Sequence, residues 1–241
     1  MKAIAAKLSR VGLAFVRIPA VDGKSLGPLP WRGFDVGRYT RRHGKRASSG
    51  EVGCYLSHVA AMQAFLAAGT SHALILEDDA LFSDDFVTVI QTALAGDEAW
   101  DVLTLYGNHH AVPMVTRRLS GGKAIVAFWA QQTGSVAYLI SRCAAEAYVK
   151  RMLPMSLPFD HALTRTWETG VRFRGLLPFP VTTGAVPTMI SAGSKLPKRQ
   201  RISTAVFRAA SLAQLLAYNT LKDRVWVSAI RSLAQPPQAR S

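Results

Sequence analysis

Residues 72–86, HALILEDDALFSDDF, constrain the fold of this chain more than any other stretch. Ala73 to Leu76 are apolar and suit a buried strand, which runs directly into three carboxylates, Glu77, Asp78 and Asp79. Carboxylates crowded at one strand end repel one another unless a cation or a basic group sits among them. In an open α/β sheet, ligands bind at the carboxyl ends of the strands. The spacing Glu77-x-Asp79 offers oxygens to a hard divalent ion, which in turn holds phosphates. The competing reading of these residues is an acidic turn before a helix, with Ser83 or Asp84 as its N-cap.

A chain of 241 residues is long enough for one full-sized domain, or a domain with an appendage. With 49% hydrophobic and 18% charged residues, it can build a core and is too apolar for wholesale disorder. No run of about 18 uncharged apolar residues is present, so a transmembrane helix is not expected. The N-terminal stretch is interrupted by Lys7, Arg10 and Arg17, which breaks any signal-peptide core. Cys54 and Cys143 sit in apolar contexts, which suits reduced thiols in the cytoplasm. The net charge of +14 asks for an anionic partner: nucleic acid, an anionic membrane surface, or a phosphorylated substrate. The charge is uneven. Residues 38–46, RYTRRHGKR, hold five Arg or Lys, the C-terminal tail is basic, and residues 72–101 between them are acidic.

Apolar spacing and turn residues predict a helix over 2–11, a strand over 13–18, and a loop over 24–46 anchored by Trp31 and Phe34. A helix is expected over 51–68, a strand over 73–76, a helix over 83–95, and a strand over 101–106. Ser120-Gly121-Gly122 suggests a hairpin pairing 112–119 with 123–129. A strand over 135–140 and a helix capped by Ser141 follow, then a helix near 160–169. This alternation predicts an α/β domain with a mainly parallel sheet flanked by helices.

The last 45 residues change character. Lys195, Lys198, Arg199 and Arg201 form a basic linker, after which Val206, Leu212, Leu215, Leu216, Leu221, Val225, Trp226 and Ile230 recur at helical spacing among Arg208, Lys222, Arg224 and Arg231. Such a basic amphipathic tail suits an anionic bilayer. The same stripe also suits packing on the α/β domain. The expected division is 1–190 for the main domain and 191–241 for the tail.

GEVGCYLSH at 50–58 followed by ALILEDDALFSDDF resembles glycosyltransferase family 25, the lipooligosaccharide galactosyltransferases and their collagen-modifying relatives. AVDG at 20–23, TGSVAYLIS at 133–141, PFDHAL at 158–163 and PFPV at 178–181 extend the likeness in collinear order over roughly residues 2–185. The resemblance implies a Rossmann-type GT-A fold, a UDP-sugar donor, and a divalent metal such as Mn²⁺. It implies inverting transfer of a hexose, galactose foremost, to a lipid-linked lipopolysaccharide or lipooligosaccharide acceptor. On this sequence it places Asp79 on the metal, Glu77 on the metal or the donor, and Asp78 on the donor. Glu51, Ser57 and His58 become donor-site residues. A sugar hydroxyl is a poor nucleophile, so such an enzyme also needs a base. Asp160 is the first candidate and His161 the second. The competing role for Asp160 is as N-cap of the helix after Pro158. Family members usually open with a strand, whereas here Met1 falls within the helix that should follow it, so that first strand is expected to be absent.

The leading expectation is therefore a cytoplasmic enzyme, peripheral on the inner membrane. Its alternative is a degenerate, non-catalytic member that binds saccharide or anionic surfaces. Nucleic acid is not an expected partner, because no helix-turn-helix, zinc-ligand or RNA-binding aromatic pattern accompanies the basic run.

Overall fold

The computed structural model describes residues 2–26, 33–95, 100–109, 111–184 and 201–234. Trp31, Lys195, Lys198, Arg199 and the expected boundary at 190/191 lie outside these residues. Three helices come first: α1 (Lys2–Arg10), α2 (Val36–His43) and α3 (Ser49–Ala67). They are followed by β1 (His72–Leu76), β2 (Ala80–Phe82), α4 (Phe86–Leu94), β3 (Val102–Thr104), β4 (Pro113–Arg118), β5 (Ala124–Phe128) and β6 (Ala137–Ser141). Next come α5 (Arg142–Arg151), α6 (Phe159–Leu163), α7 (Thr166–Thr169), β7 (Phe173–Leu177) and β8 (Val181–Thr183). The tail forms α8 (Arg201–Ala217), a π-helical turn (Tyr218–Lys222) and α9 (Val225–Ala234).

Six strands form one sheet in the order β1-β6-β3-β7-β5-β4, and β2 pairs with β8 in a separate antiparallel ribbon. The α/β architecture matches the expectation, but the strand directions do not. Only β3 and β7 run parallel; the other neighbours are antiparallel. A parallel neighbour needs a long crossover. Here β4, β5 and β6 follow one another without a helix between them. The expected hairpin across Ser120–Gly122 is the β4–β5 pair.

Side chains alternate across the pleat, so the sheet buries apolar residues on both faces. Tyr138 and Ile140 of β6 join one cluster with Tyr39, Tyr55, Met62, Tyr148 and Phe159. Ala137 and Leu139 face the other way, into a cluster with Ile4, Leu8, Phe86, Trp100 and Leu103. Residues 13–18 form no strand, and Phe15 and Val16 there are exposed. The region expected to be loop contains α2, started by the Asp35 side chain on Arg38 N and ended by Gly44 at φ +79°.

The tail docks on this domain. Arg174 of β7 and Asp223 form an ion pair at 2.7 Å, with both side chains almost fully buried. Asn219 Nδ2 donates to Phe128 O at 2.9 Å, and the Tyr218 hydroxyl donates to Gly170 O at 2.8 Å. Leu215 and Val225 are buried. Val206, Leu212, Leu216, Leu221, Trp226 and Ile230 of the same stripe remain exposed, as do Ile202 and Leu233. Among the described residues, no helix is long and apolar enough to cross a membrane.

Candidate active site

The GEVGCYLSH segment lies on α3, and its residue types follow from how that helix is held. Ser48 caps it through a capping box: Ser48 Oγ accepts from Glu51 N, and Glu51 Oε2 accepts from Ser48 N at 2.7 Å. The other Glu51 oxygen accepts from the Tyr39 hydroxyl at 3.1 Å, so both are engaged within the scaffold. Gly53 faces Gly23 of the AVDG segment. A Cβ on Gly53 would lie 2.5 Å from Val21 O, and one on Gly23 would fall inside the Ser49 carbonyl, so neither tolerates a side chain. Ser57 closes this contact by accepting from Val21 N at 2.9 Å and donating to Gly53 O at 2.7 Å. Two separated motifs are thus one backbone-to-backbone junction, with Ser57 as its clasp.

The next residue, His58, is buried and stacks on Phe159 at 4.0 Å between ring centroids. Its Nε2 lies 3.3 Å from Glu77 Oε1 and its Nδ1 lies 3.1 Å from the Tyr138 hydroxyl. An ionised carboxylate only accepts, so Nε2 donates to Glu77; in the neutral ring Nδ1 then accepts from Tyr138. Ser135 Oγ also donates to Glu77 Oε1, at 2.8 Å. Burial by itself would raise the Glu77 pKa, but the His58 hydrogen bond and charge and the Ser135 hydrogen bond outweigh it and hold it below the ordinary value.

The two following acids behave differently. Asp78 is exposed. Asp79 keeps a buried Oδ1 with no hydrogen-bond partner. Burial, then the charges of Glu77 and Asp78, raise its pKa. The cap that the competing reading placed at Ser83 or Asp84 is not observed: the residue at the N-cap of α4 is Asp85, and Ser83 Oγ donates to its side chain.

The loop before β6 joins the acidic strand end to Asp160. Gly134 has φ +111°, and a Cβ there would press 2.8 Å from the Tyr106 ring. Its N–H donates to Asp160 Oδ2 at 3.1 Å, while Asp160 Oδ1 accepts from His161 N at 2.8 Å. Pro158, not Asp160, stands at the N-cap of α6, and Asp160 lies in its first turn. Consecutive residues of this loop, Gly134 and Ser135, therefore hold Asp160 and Glu77 on one side. The ring of His161 points elsewhere, lying edge-on to His43 at 5.3 Å in a cleft under α8. Glu77, His58, Ser135 and Asp160 come together; Asp78 and Asp79 flank them at the strand end, Glu51 and Ser57 serve the α3 junction, and His161 lies apart. Sequence reasoning missed Tyr138, for which only its place in TGSVAYLIS offered a signal.

One donor set and one lone carboxylate oxygen bear on a cation. Cys54, His58 and Glu77 present ligand atoms within 4.8 Å of one another. Burial, then the charges of Glu77, Asp160 and Glu51, push the Cys54 thiol up to about 12, so this set must displace a tightly held proton as well as the His58 hydrogen bonds. Asp79 offers an oxygen that is already stripped of partners and crowded by like charge. Hard divalent ions favour such carboxylate oxygens, and Asp79 Oδ1 has no hydrogen bond to give up.

A family model described as "Glycosyltransferase family 25 (LPS biosynthesis protein)" matches residues 1–163. The chain belongs to glycosyltransferase family 25. The match carries the α3 junction, the acidic end of β1, and Asp160 through Leu163. Among curated relatives, "Probable inactive glycosyltransferase 25 family member 3" of Rattus norvegicus is 28% identical over 159 residues, covering 61% of this chain and 27% of the relative. "Inactive glycosyltransferase 25 family member 3" of Mus musculus is 28% identical over 159 residues, 61% of this chain and 26% of the relative. The Homo sapiens protein of that name is 27% identical over 155 residues, 57% and 25%. The chain spans about a quarter of the length of these relatives.

Proposed function

We propose that this family 25 chain transfers a hexose, galactose foremost, from a UDP-sugar to a saccharide acceptor with inversion, using a divalent ion of the Mn²⁺ kind. The observation that carries the reading is Asp79: a buried, unpartnered carboxylate oxygen beside two further carboxylates at the end of β1. Bound there, a divalent ion would neutralise charge on the departing diphosphate. Glu77, locked by His58 and Ser135, fixes the strand end against which that charge is set. Asp160, oriented by Gly134 N–H, takes the proton of the acceptor hydroxyl as its oxygen bonds to the anomeric carbon from the opposite side, while the bond from that carbon to the diphosphate breaks and its electron pair leaves with UDP. Residues 1–190 form the transferase domain in this reading, and residues 191–241 bring it to a lipid-linked acceptor at the cytoplasmic face of the inner membrane. Exposed Ile202, Val206, Trp226 and Ile230 on a chain of net charge +14 support contact with an anionic bilayer.

A second reading rests on a specific observation, the inactive relatives. In it the chain binds saccharide or anionic surfaces without turnover, and the Glu77 network is scaffold only. UDP release from UDP-galactose and UDP-glucose, with Mn²⁺ and with EDTA, decides between them. Metal-dependent release that Asp160→Asn removes supports the transferase; none with either donor supports the binding protein.

A further inference from the structure

The cleft that receives His161 has a composition the transferase reading does not use. It is a cavity of about 60 Å³ between α2, α6, α7 and α8, walled by Arg42, His43, His161, Arg165, Phe207 and Arg208. The guanidinium carbons of Arg42 and Arg165 lie 5.0 and 4.9 Å from the Phe207 ring centroid, so two like charges lie against one aromatic ring. Arg165 is buried, and one carboxylate answers it: Glu168, at 2.7 Å. Among the described residues, neither Arg42 nor Arg208 forms an ion pair with a carboxylate, although Glu168 and Asp35 act on Arg42 from farther off. Arg42 donates to Ser156 Oγ at 3.0 Å, and Arg208 to His43 O at 3.4 Å. Burial first, and then the charges of His161, Lys45 and Arg208, lower the His43 pKa to about 4, with Glu51 Oε1 4.0 Å from its Nε2.

Three buried nitrogens of residues lining this cavity lack any hydrogen-bond partner: Arg165 Nε, Trp167 Nε1 and His43 Nδ1. Arg165 Nε and Trp167 Nε1 can only donate. Buried donors left over in a native protein point to an absent acceptor. Several donors, an excess of cationic charge and a small volume together select a compact, multiply charged acceptor. A tetrahedral oxyanion satisfies this; a carboxylate, with two oxygens, leaves donors over. The volume fits one phosphoryl group, with any remainder of the ligand outside.

We propose that this cavity is a binding site for a phosphoryl group, separate from the acidic end of β1 and formed only where α8 docks on the domain. The site would take inorganic phosphate or the phosphate ester of a phosphorylated saccharide, with the Arg42, Arg165 and Arg208 guanidiniums as its forks. The inference does not rest on the transferase reading, because binding is measured without donor or metal.

The test is calorimetric titration of inorganic phosphate, glucose 6-phosphate and UDP into the full chain, in EDTA and at constant ionic strength. Arg42→Gln and Arg208→Gln should each weaken phosphate at least 10-fold, and Arg208→Lys should weaken it less, because it keeps the charge and loses the fork. Arg118→Gln, an exposed charge on β4, should leave the affinity within twofold. Circular dichroism and thermal unfolding confirm that each variant is folded, and Arg208→Lys stands in if Arg208→Gln is not. Glucose 6-phosphate competing with phosphate identifies an ester ligand; phosphate binding alone identifies the free ion. Equal loss in Arg118→Gln, no loss in the pocket variants, or displacement of phosphate by UDP would overturn the proposal.

Discussion

The acidic end of β1 and the basic cavity under α8 sit on either side of one dipeptide, Asp160-His161, and are assembled in opposite ways. Three consecutive residues deliver Glu77, Asp78 and Asp79, and one loop, Gly134-Ser135, ties that end to Asp160. The cationic side is gathered from α2, α6–α7 and α8, with more than 150 residues of sequence between Arg42 and Arg208. The first depends on strand geometry and survives as long as the sheet does. The second depends on the tail staying docked.

Asp79→Asn gives the largest expected effect. It should lower metal-dependent turnover at least 100-fold and abolish stabilisation by Mn²⁺, while the thermal midpoint without metal holds or rises, because a repelled carboxylate has gone. Asp223→Ala separates the two regions. It leaves Arg174 buried without a counter-charge and should cost about 3–5 kcal/mol in urea unfolding. It should weaken phosphate binding under α8 yet preserve Mn²⁺ binding at β1, and loss of both together would break the comparison. Glu77→Gln strips the charge that His58 and Ser135 are arranged to meet, for about 1–3 kcal/mol. Ser48→Ala removes the cap of α3 and belongs to neither region; about 1 kcal/mol is expected, read by thermal unfolding.

Acidification sharpens the same contrast. Despite burial, His58 and Ser135 hold Glu77 low, and Arg172 does the same for Asp101. Their stabilisation is therefore present above the ordinary carboxylate range and is lost as pH falls through their depressed values. Asp79 is raised, so its contribution has the opposite sign: the folded state is favoured at low pH and penalised as pH rises through the raised value. The stability gained by Asp79→Asn should thus be present at neutral pH and vanish below about pH 4, where the wild-type side chain is protonated as well.

What could be read from the sequence follows the same division. The β4–β5 hairpin, the Ser141 cap and the strand that ends in acids are local patterns, and each is where its residues place it. Strand β7 was illegible because it carries Arg174, which suits a buried strand only once Asp223 has arrived from the tail. Strand direction was misjudged for another reason: the predicted hairpin and the strand over 135–140 already leave no crossover between β4, β5 and β6, but the helix–strand alternation elsewhere suggests a parallel sheet. The cationic cavity left a trace only in the 38–46 run. Its other members are isolated in sequence, and only the docking of α8 collects them.

The central claim is that the end of β1 holds a metal-assisted nucleotide-sugar site. Its most direct test is calorimetric titration of UDP-galactose and UDP-glucose into the full chain with Mn²⁺, repeated in EDTA and with Asp79→Asn. The account predicts binding that requires Mn²⁺ and disappears in the variant. Binding that persists unchanged in EDTA or in Asp79→Asn, or no binding under any condition, would contradict it.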